Sequence, residues 1–217
     1  MAVPWVQGTA VLSIGTTTVL PLPLSAAVGT GDLLCVAYGW TTTSDTATVT
    51  DTALNTYTSI TPVISGGELW SVAYCASSKG PTSTITVTKT GASATMLASV
   101  DQYRGGFTFL GSNSGTAVNV NPFIVPAITT ANTGDLIFGV GVSISGFGIT
   151  SGAGFTQREA LSNALLTEDQ FLVAAGSATA TFATAGNDSY IGFVLDFSFA
   201  QPPPFGMPRF AITYRTW

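Results

Sequence analysis

With no histidine in its 217 residues, the chain is left with eleven carboxylates, two cysteines and four tryptophans as its chemically distinctive groups. The missing imidazole removes the commonest general base and metal ligand. Ser–His–Asp and Cys–His nucleophile systems are impossible, and two cysteines alone cannot build a tetrahedral zinc site. No glycine run ends in Gly-Lys-Ser/Thr or opens a helix, so a phosphate-binding loop is absent. Paired carboxylates about 5–9.5 Å apart could still hydrolyse a glycosidic bond. Glu68, Asp101, Glu168 and Asp169 lie in or beside strand-like segments, but their spacing singles out no pair.

Calcium needs six to eight oxygens. Asp45 and Asp51 flank one loop and Asn187-Asp188 sits in another, too sparse for such a shell. Asp32 and Asp135 occupy matching turns before strands, where an Asp side chain caps the turn backbone. Neither a metal nor another cofactor is expected, and the chain reads as a non-enzyme. Among the aromatics, Trp40 ends a long apolar strand ahead of Thr41-Thr42-Thr43. At a loop rim it is the candidate for stacking on a sugar ring. Trp70 falls inside a strand and reads as core; Trp5 and Trp217 lie near the chain ends, where aromatics anchor terminal segments to a neighbour. Cys35 and Cys75 sit in predicted strands, either as two buried thiols or as a disulfide if they face one another.

Period-two alternation positions these groups. Thr occupies every even position from Thr82 to Thr90, with Ile85 and Val87 on the other face. Ile191, Phe193, Leu195, Phe197 and Phe199 line one face of another strand, opposite Gly192, Asp196 and Ser198. Only Arg158 to Asp169 leaves room for a short helical turn. Pro21 and Pro23 remove donors from one side of the Leu20–Leu24 segment, which predicts an edge strand paired on its other side or an extended strap. Thr30-Gly31-Asp32-Leu33 recurs as Thr133-Gly134-Asp135-Leu136, each followed by a long apolar strand. The expected fold is all-β: a two-sheet antiparallel sandwich, jelly-roll or Greek-key-like, over residues 1–200. Its two diverged half-repeats span about 1–104 and 105–200 and pack their apolar faces into one core. Gln201-Pro202-Pro203-Pro204 then leads an extended arm, 201–217. In the arm Phe210, Ile212 and Tyr214 alternate with smaller or polar residues; with Phe205 and Trp217 they are the candidate partner-binding residues.

Charged residues make up only 8% of the chain, against about 25% in an average soluble domain. The six basic residues are scattered and the net charge is −5, which argues against nucleic acid. Mean hydropathy is +0.44, yet no run approaches the ~18 apolar residues of a spanning helix. Several strands are too short and Thr-rich for a membrane barrel. The opening Met-Ala-Val-Pro-Trp lacks the basic and apolar regions of a secretory signal. A Thr/Ser/Gly-rich β chain of this kind fits a virus structural protein made in the host cytoplasm and released by lysis.

Gly31-Asp32-Leu33-Leu34, then Val49-Thr50-Asp51-Thr52 with Asn55-Thr56-Tyr57-Thr58, resembles a β-sandwich module of tailed-phage virion proteins and of some bacterial surface proteins. The second Thr-Gly-Asp-Leu fits the same pattern. The resemblance covers roughly residues 3–199 and leaves out the arm. It implies a structural protein of the bacteriophage virion surface: a capsid decoration (cement) protein, a head fibre or a tail-fibre module. It supplies no catalytic residues. The implied partner is the major capsid protein or another virion protein, with self-association into a homo-oligomer, a trimer by analogy to capsid symmetry sites. The alternative is a carbohydrate- or receptor-binding module that takes a glycan.

Overall fold

The computed structural model describes residues 4–199 except 14, 42, 162 and 163. Phe205, Phe210, Ile212, Tyr214 and Trp217 of the arm lie outside the described residues. Nineteen strands and no helix are present among the described residues. The first half holds β1 (Trp5–Leu12), β2 (Val19–Pro23), β3 (Leu33–Trp40), β4 (Ala47–Asp51), β5 (Thr58–Ser59), β6 (Val63–Ser65), β7 (Glu68–Cys75), β8 (Thr84–Lys89) and β9 (Met96–Tyr103). The second holds β10 (Phe107–Val120), β11 (Phe123–Ile124), β12 (Ile128–Thr130), β13 (Leu136–Ser143), β14 (Ile149–Thr150), β15 (Thr156–Leu161), β16 (Leu165–Phe171), β17 (Gly176–Ala178), β18 (Thr181–Thr184) and β19 (Asp188–Phe199).

The halves share one topology. A large sheet ordered β1-β9-β3-β7-β5, with β6 also on β7, faces a small sheet β2-β8-β4. In the second half β10-β19-β13-β16-β15 faces β11-β18-β14 and β12-β17. All pairings between these strands are antiparallel. Apart from the successive large-sheet strands β5–β7 and β15–β16, the chain passes back and forth between large and small sheets in each half, which is the path of a jelly roll. Equivalent residues pair alike: Leu33 with Tyr103, and Leu136 with Phe197.

Side-chain parity divides the interior into three cores. Leu34, Val36, Tyr38 and Trp40 point from β3 toward the first small sheet, joined by Leu22, Ile85 and Val87. Ile137, Leu166, Phe182, Tyr190 and Val194 fill the equivalent core of the second half. The third core lies between the two large sheets. There Leu33, Cys35, Ala37, Trp70 and Tyr103 meet Phe138, Val140, Phe193, Leu195 and Phe197. The interior is therefore three cores rather than the one expected, because each half also closes a small sheet over the outer face of its large sheet. Every residue of β3 and of β13 is buried as a result. At its margins β1 lies against β15 and β6 against β10. Each edge of one large sheet thus meets the opposite edge of the other, the arrangement of a two-fold-related pair. Tyr74 of β7 stacks on Phe109 of β10 at 4.5 Å between ring centroids.

Local expectations sort by strand parity. β2 is an edge strand paired only with β8; Leu20 and Leu22 are buried while Pro21 and Pro23 face solvent. Cys35 and Cys75 are both free thiols. They project from opposite faces of one sheet, Cys35 into the inter-half core and Cys75 into the first, so no disulfide can join them. Among its described residues the stretch from Arg158 to Asp169 holds no helical turn; β15 and β16 pair antiparallel, held by Arg158 reaching across to Asp169.

Aromatic rings lie directly on the large sheets wherever glycine leaves room. Gly141 pairs with Gly192 across β13 and β19. A Cβ at Gly141 would sit 2.6 Å from Phe182, and one at Gly192 would strike the Phe123 ring. Gly141→Ala or Gly192→Ala is expected to cost about 1–3 kcal/mol by overpacking. Gly186→Ala, which meets nothing within 4 Å, serves as control. Urea denaturation of the three variants measures the difference; equal midpoints would show that the rings yield freely.

Candidate interaction and polar sites

The strand registers disperse the carboxylates. In the first turn Gly29 N–H donates to Asp32 at 3.1 Å, and in the second Asn132 N–H donates to Asp135 at 3.2 Å. Both are the turn caps expected from sequence. Asp51 clips its loop by accepting from Asn55 N–H, the Asn55 amide and the Tyr57 hydroxyl, at 3.2, 2.8 and 2.8 Å. The Asp-Asn-Tyr spacing behind the family resemblance is thus a loop staple. Asp45 pairs with buried Lys89 at 2.6 Å, and Asp188 accepts from Ser143 and from Ser189 N–H. Glu68 accepts from the Trp70 indole at 2.8 Å. Among the described residues no group of three or more Cys, Asp or Glu converges as a metal site.

Trp40 does not reach a loop rim. It is 1% exposed, stacks on Tyr38 at 6.0 Å and carries the Lys89 ammonium 5.7 Å from its ring. The Met96 pairing and the small sheet close over this end of β3, so a sugar cannot stack on Trp40. Trp5 anchors its own chain: its indole donates to Asp101 at 3.1 Å, and the Arg158 guanidinium lies 5.1 Å from its ring.

That contact opens a polar cluster between the halves. The Thr167 hydroxyl donates to the second oxygen of Asp101 at 2.8 Å, and Glu159 N–H donates to Thr167 at 3.0 Å. Arg158 grips Asp169 with two bonds of 2.7 and 2.9 Å, the bidentate geometry that makes such pairs strong. Gly8 leaves the space that the Glu159 side chain fills. Asp101 is fully buried, and burial pushes its pKa up to about 7 despite bonds from Thr167 and Trp5. Burial, with Asp101 and Asp169 nearby, raises the Cys35 thiol well above its usual range, so it is an inert core residue. Glu168, next to Asp169 in sequence, points to the opposite face. There it accepts from Gly152 N–H at 2.8 Å while its other oxygen has no partner. Burial raises its pKa to about 8, which leaves it mostly protonated at neutral pH.

Two open clefts mark the surface. One, of about 600 Å³, is lined by Pro4, Trp5, Val6, Arg104, Gly105, Gly106 and Phe199. Pro4 and Phe199 are the first and last described residues, so both ends of the described chain meet there. The second, of about 490 Å³, lies around Gly134, Gly154, Gln170 and Phe171. No carboxylate lines either cleft. At one edge of the second large sheet β10 extends for 14 residues, with β19 as its only ladder partner among the described residues. Residues 105–134 carry no charged side chain, and Leu110, Val118 and Ile124 are exposed along this stretch.

The inter-half cluster escaped sequence reading because its members come from four separate strands, β1, β9, β15 and β16. One signal was available: Asp101 shares the strand face of apolar Tyr103, two positions on. Compared with known proteins, the chain matches no family model, no curated protein and no solved structure.

The raised carboxyl pKa values set a pH dependence. Unfolded carboxyls titrate near roughly 4, so the folded state holds these protons more tightly. Stability then falls as pH rises from about 4 toward about 7 for Asp101 and about 8 for Glu168, and levels off above. Glu168→Gln is expected to flatten the profile and to be more stable than the parent at pH 8, by on the order of 1–3 kcal/mol. Denaturant titrations from pH 4 to 8 test this, and parallel profiles for parent and variant would refute it.

Proposed function

We propose that the protein is a non-enzymatic virion structural protein, a capsid decoration protein that binds an assembled phage capsid. The observation that carries the reading is the paired jelly roll, an architecture shared by viral capsid and lectin domains. It presents a long, charge-free edge at β10, and no carboxylate lines either surface cleft. An uncharged, unpaired edge strand suits addition of a strand from a neighbour. The arm, 201–217, follows β19 where that strand runs beside the start of β10. Phe205, Phe210, Ile212, Tyr214 and Trp217 are its proposed anchors on the partner. With so little charge to keep copies apart, the protein self-associates in this reading, as a trimer matched to capsid symmetry sites. The carbohydrate-binding alternative loses Trp40 and would have to use the cleft of Trp5, Arg104 and Phe199.

The test pairs the full chain with a chain ending at residue 200, mixed with purified capsids lacking this protein and sedimented. The full chain is expected in the pellet at a fixed ratio to the capsid protein. The shortened chain is expected to melt at the same temperature and stay in the supernatant. A full chain that remains soluble, or that binds a glycan array and not capsids, overturns the proposal. Equal binding by the shortened chain removes the arm from it, and light scattering that reports a monomer at high concentration removes the trimer.

A further inference from the structure

The two halves treat one equivalent position in opposite ways. In the first half a one-residue bulge follows Trp5, and Gln7 then pairs with Gln102. In the second half a bulge follows Phe109, and Gly111 then pairs with Asp196. Gln102 lies opposite Leu34, and Asp196 opposite Ile137. The turn carboxylates Asp32 and Asp135 stand two residues before Leu34 and Ile137. The trio of Gln7, Gln102 and Asp32 therefore corresponds to Gly111, Asp196 and Asp135.

In the first half the trio is closed by neutral amides. Gln7 donates to Gln102 at 2.6 Å, and Gln102 donates to Asp32 at 2.6 Å. Gln7 also donates to the Ala26 carbonyl and accepts from Ser25 and Ala26 N–H. In the second half both amides are gone. Asp196 is 2% exposed, and its buried Oδ1 has no hydrogen-bond partner. Asp135 is buried as well and, among the described residues, accepts from the Asn132 backbone and amide alone, at 3.2 to 3.4 Å. The two ion pairs among the described residues, Lys89–Asp45 and Arg158–Asp169, lie elsewhere. A Cβ built on Gly111 meets nothing within 4 Å, so space lies open where the first half carries the Gln7 side chain.

We propose that Asp135 and Asp196 hold a hard divalent cation of the calcium class, with water entering over Gly111 to complete its shell. Two facing carboxylates in a low-dielectric setting need a positive charge between them or a proton on one. Burial, and then the Asp135 charge, raise the Asp196 pKa, the direction expected of a carboxylate that lacks a counter-charge. The carboxylates contribute up to four oxygens, and Asn132 offers its side-chain carbonyl if its amide turns over. Water must supply the rest of the six to eight that calcium takes. A site of so few protein ligands belongs at the weak end of the calcium range, with Kd of about 10⁻⁴–10⁻³ M.

The test is calorimetric titration of calcium chloride into chelator-stripped full-length protein, with melting curves in parallel. One binding event is expected, with a rise in melting temperature of about 3–6 °C at ten times Kd. Asp196→Asn should abolish both. The double variant Gly111→Gln with Asp196→Gln writes the first-half trio into the second half. It should fold, melt no lower than the metal-free parent, and ignore calcium. Asp51→Asn, which alters a carboxylate in the other half, should keep the response. No heat and no melting shift up to about 10 mM calcium would mean that the pair shares a proton instead, and the proposal fails. It fails equally if the response survives Asp196→Asn.

Discussion

The two large sheets are buried on both faces, and this constraint shapes most of the rest. A sheet with one wet face can place a polar residue at every second position. β3 and β13 have no such face, so each side chain on them is apolar, very small or satisfied by a specific partner. Gly39 shows the consequence: Trp70 lies across it so closely that a methyl group could not fit. Gly141 and Gly192 do the same under Phe182 and Phe123 on the outer side of the second large sheet. These glycines are packing residues, chosen for the ring that covers them rather than for backbone freedom.

The same constraint accounts for the low charge. When so many strands are doubly buried, the wet surface falls to small sheets, loops and edges, and Thr, Ser and Asn cover it. Two of the charges that enter the interior do so as ion pairs. Lys89 is held by Asp45 and by the carbonyls of Thr90 and Ala92. Asp169 takes both arms of Arg158. A buried pair of this kind adds little net stability over a well-packed apolar pair, but losing one partner leaves a stranded charge. Such pairs therefore penalise any other arrangement of β15 against β1 and β9.

Much of this order was legible in the chain. Alternation located β8 and β19, the two prolines marked β2 as an edge, and the repeated Thr-Gly-Asp-Leu announced the duplication down to its turn-capping aspartates. The third dimension was harder to read. The run from Leu33 to Tyr38 has no alternation, the pattern of a strand covered on both sides, yet the chain led us to a single core. Along β19 the aromatic face was plain, while Tyr190 and Val194 on the other face were separated by Gly192 and passed for an outer surface. Trp40 looked exposed because it ends a strand, but a partner sheet extends past that end. Whether Cys35 and Cys75 could meet depended on β3 pairing with β7 in the register that sets Leu34 opposite Cys75. That register turns the two thiols to opposite faces, a fact that spacing along one strand at a time does not contain.

The near two-fold stacking of the large sheets carries a consequence for how this interior can vary. In a symmetric pair of separate identical chains, any residue placed at the interface appears twice, and a buried acid would face its own copy's surroundings on both sides of the axis. Here the halves are one chain with two independent sets of codons. Asp101 and Leu195 occupy equivalent positions, as do Trp5 and Phe109, Thr167 and Val72, and Asp169 and Tyr74. One flank of the interface has become a hydrogen-bonded cluster around Asp101, and the other an aromatic stack around Tyr74. Covalent linkage has freed each flank to diverge without forcing the same change on its counterpart, so the molecule keeps the shape of a dimer and has two chemically different sides.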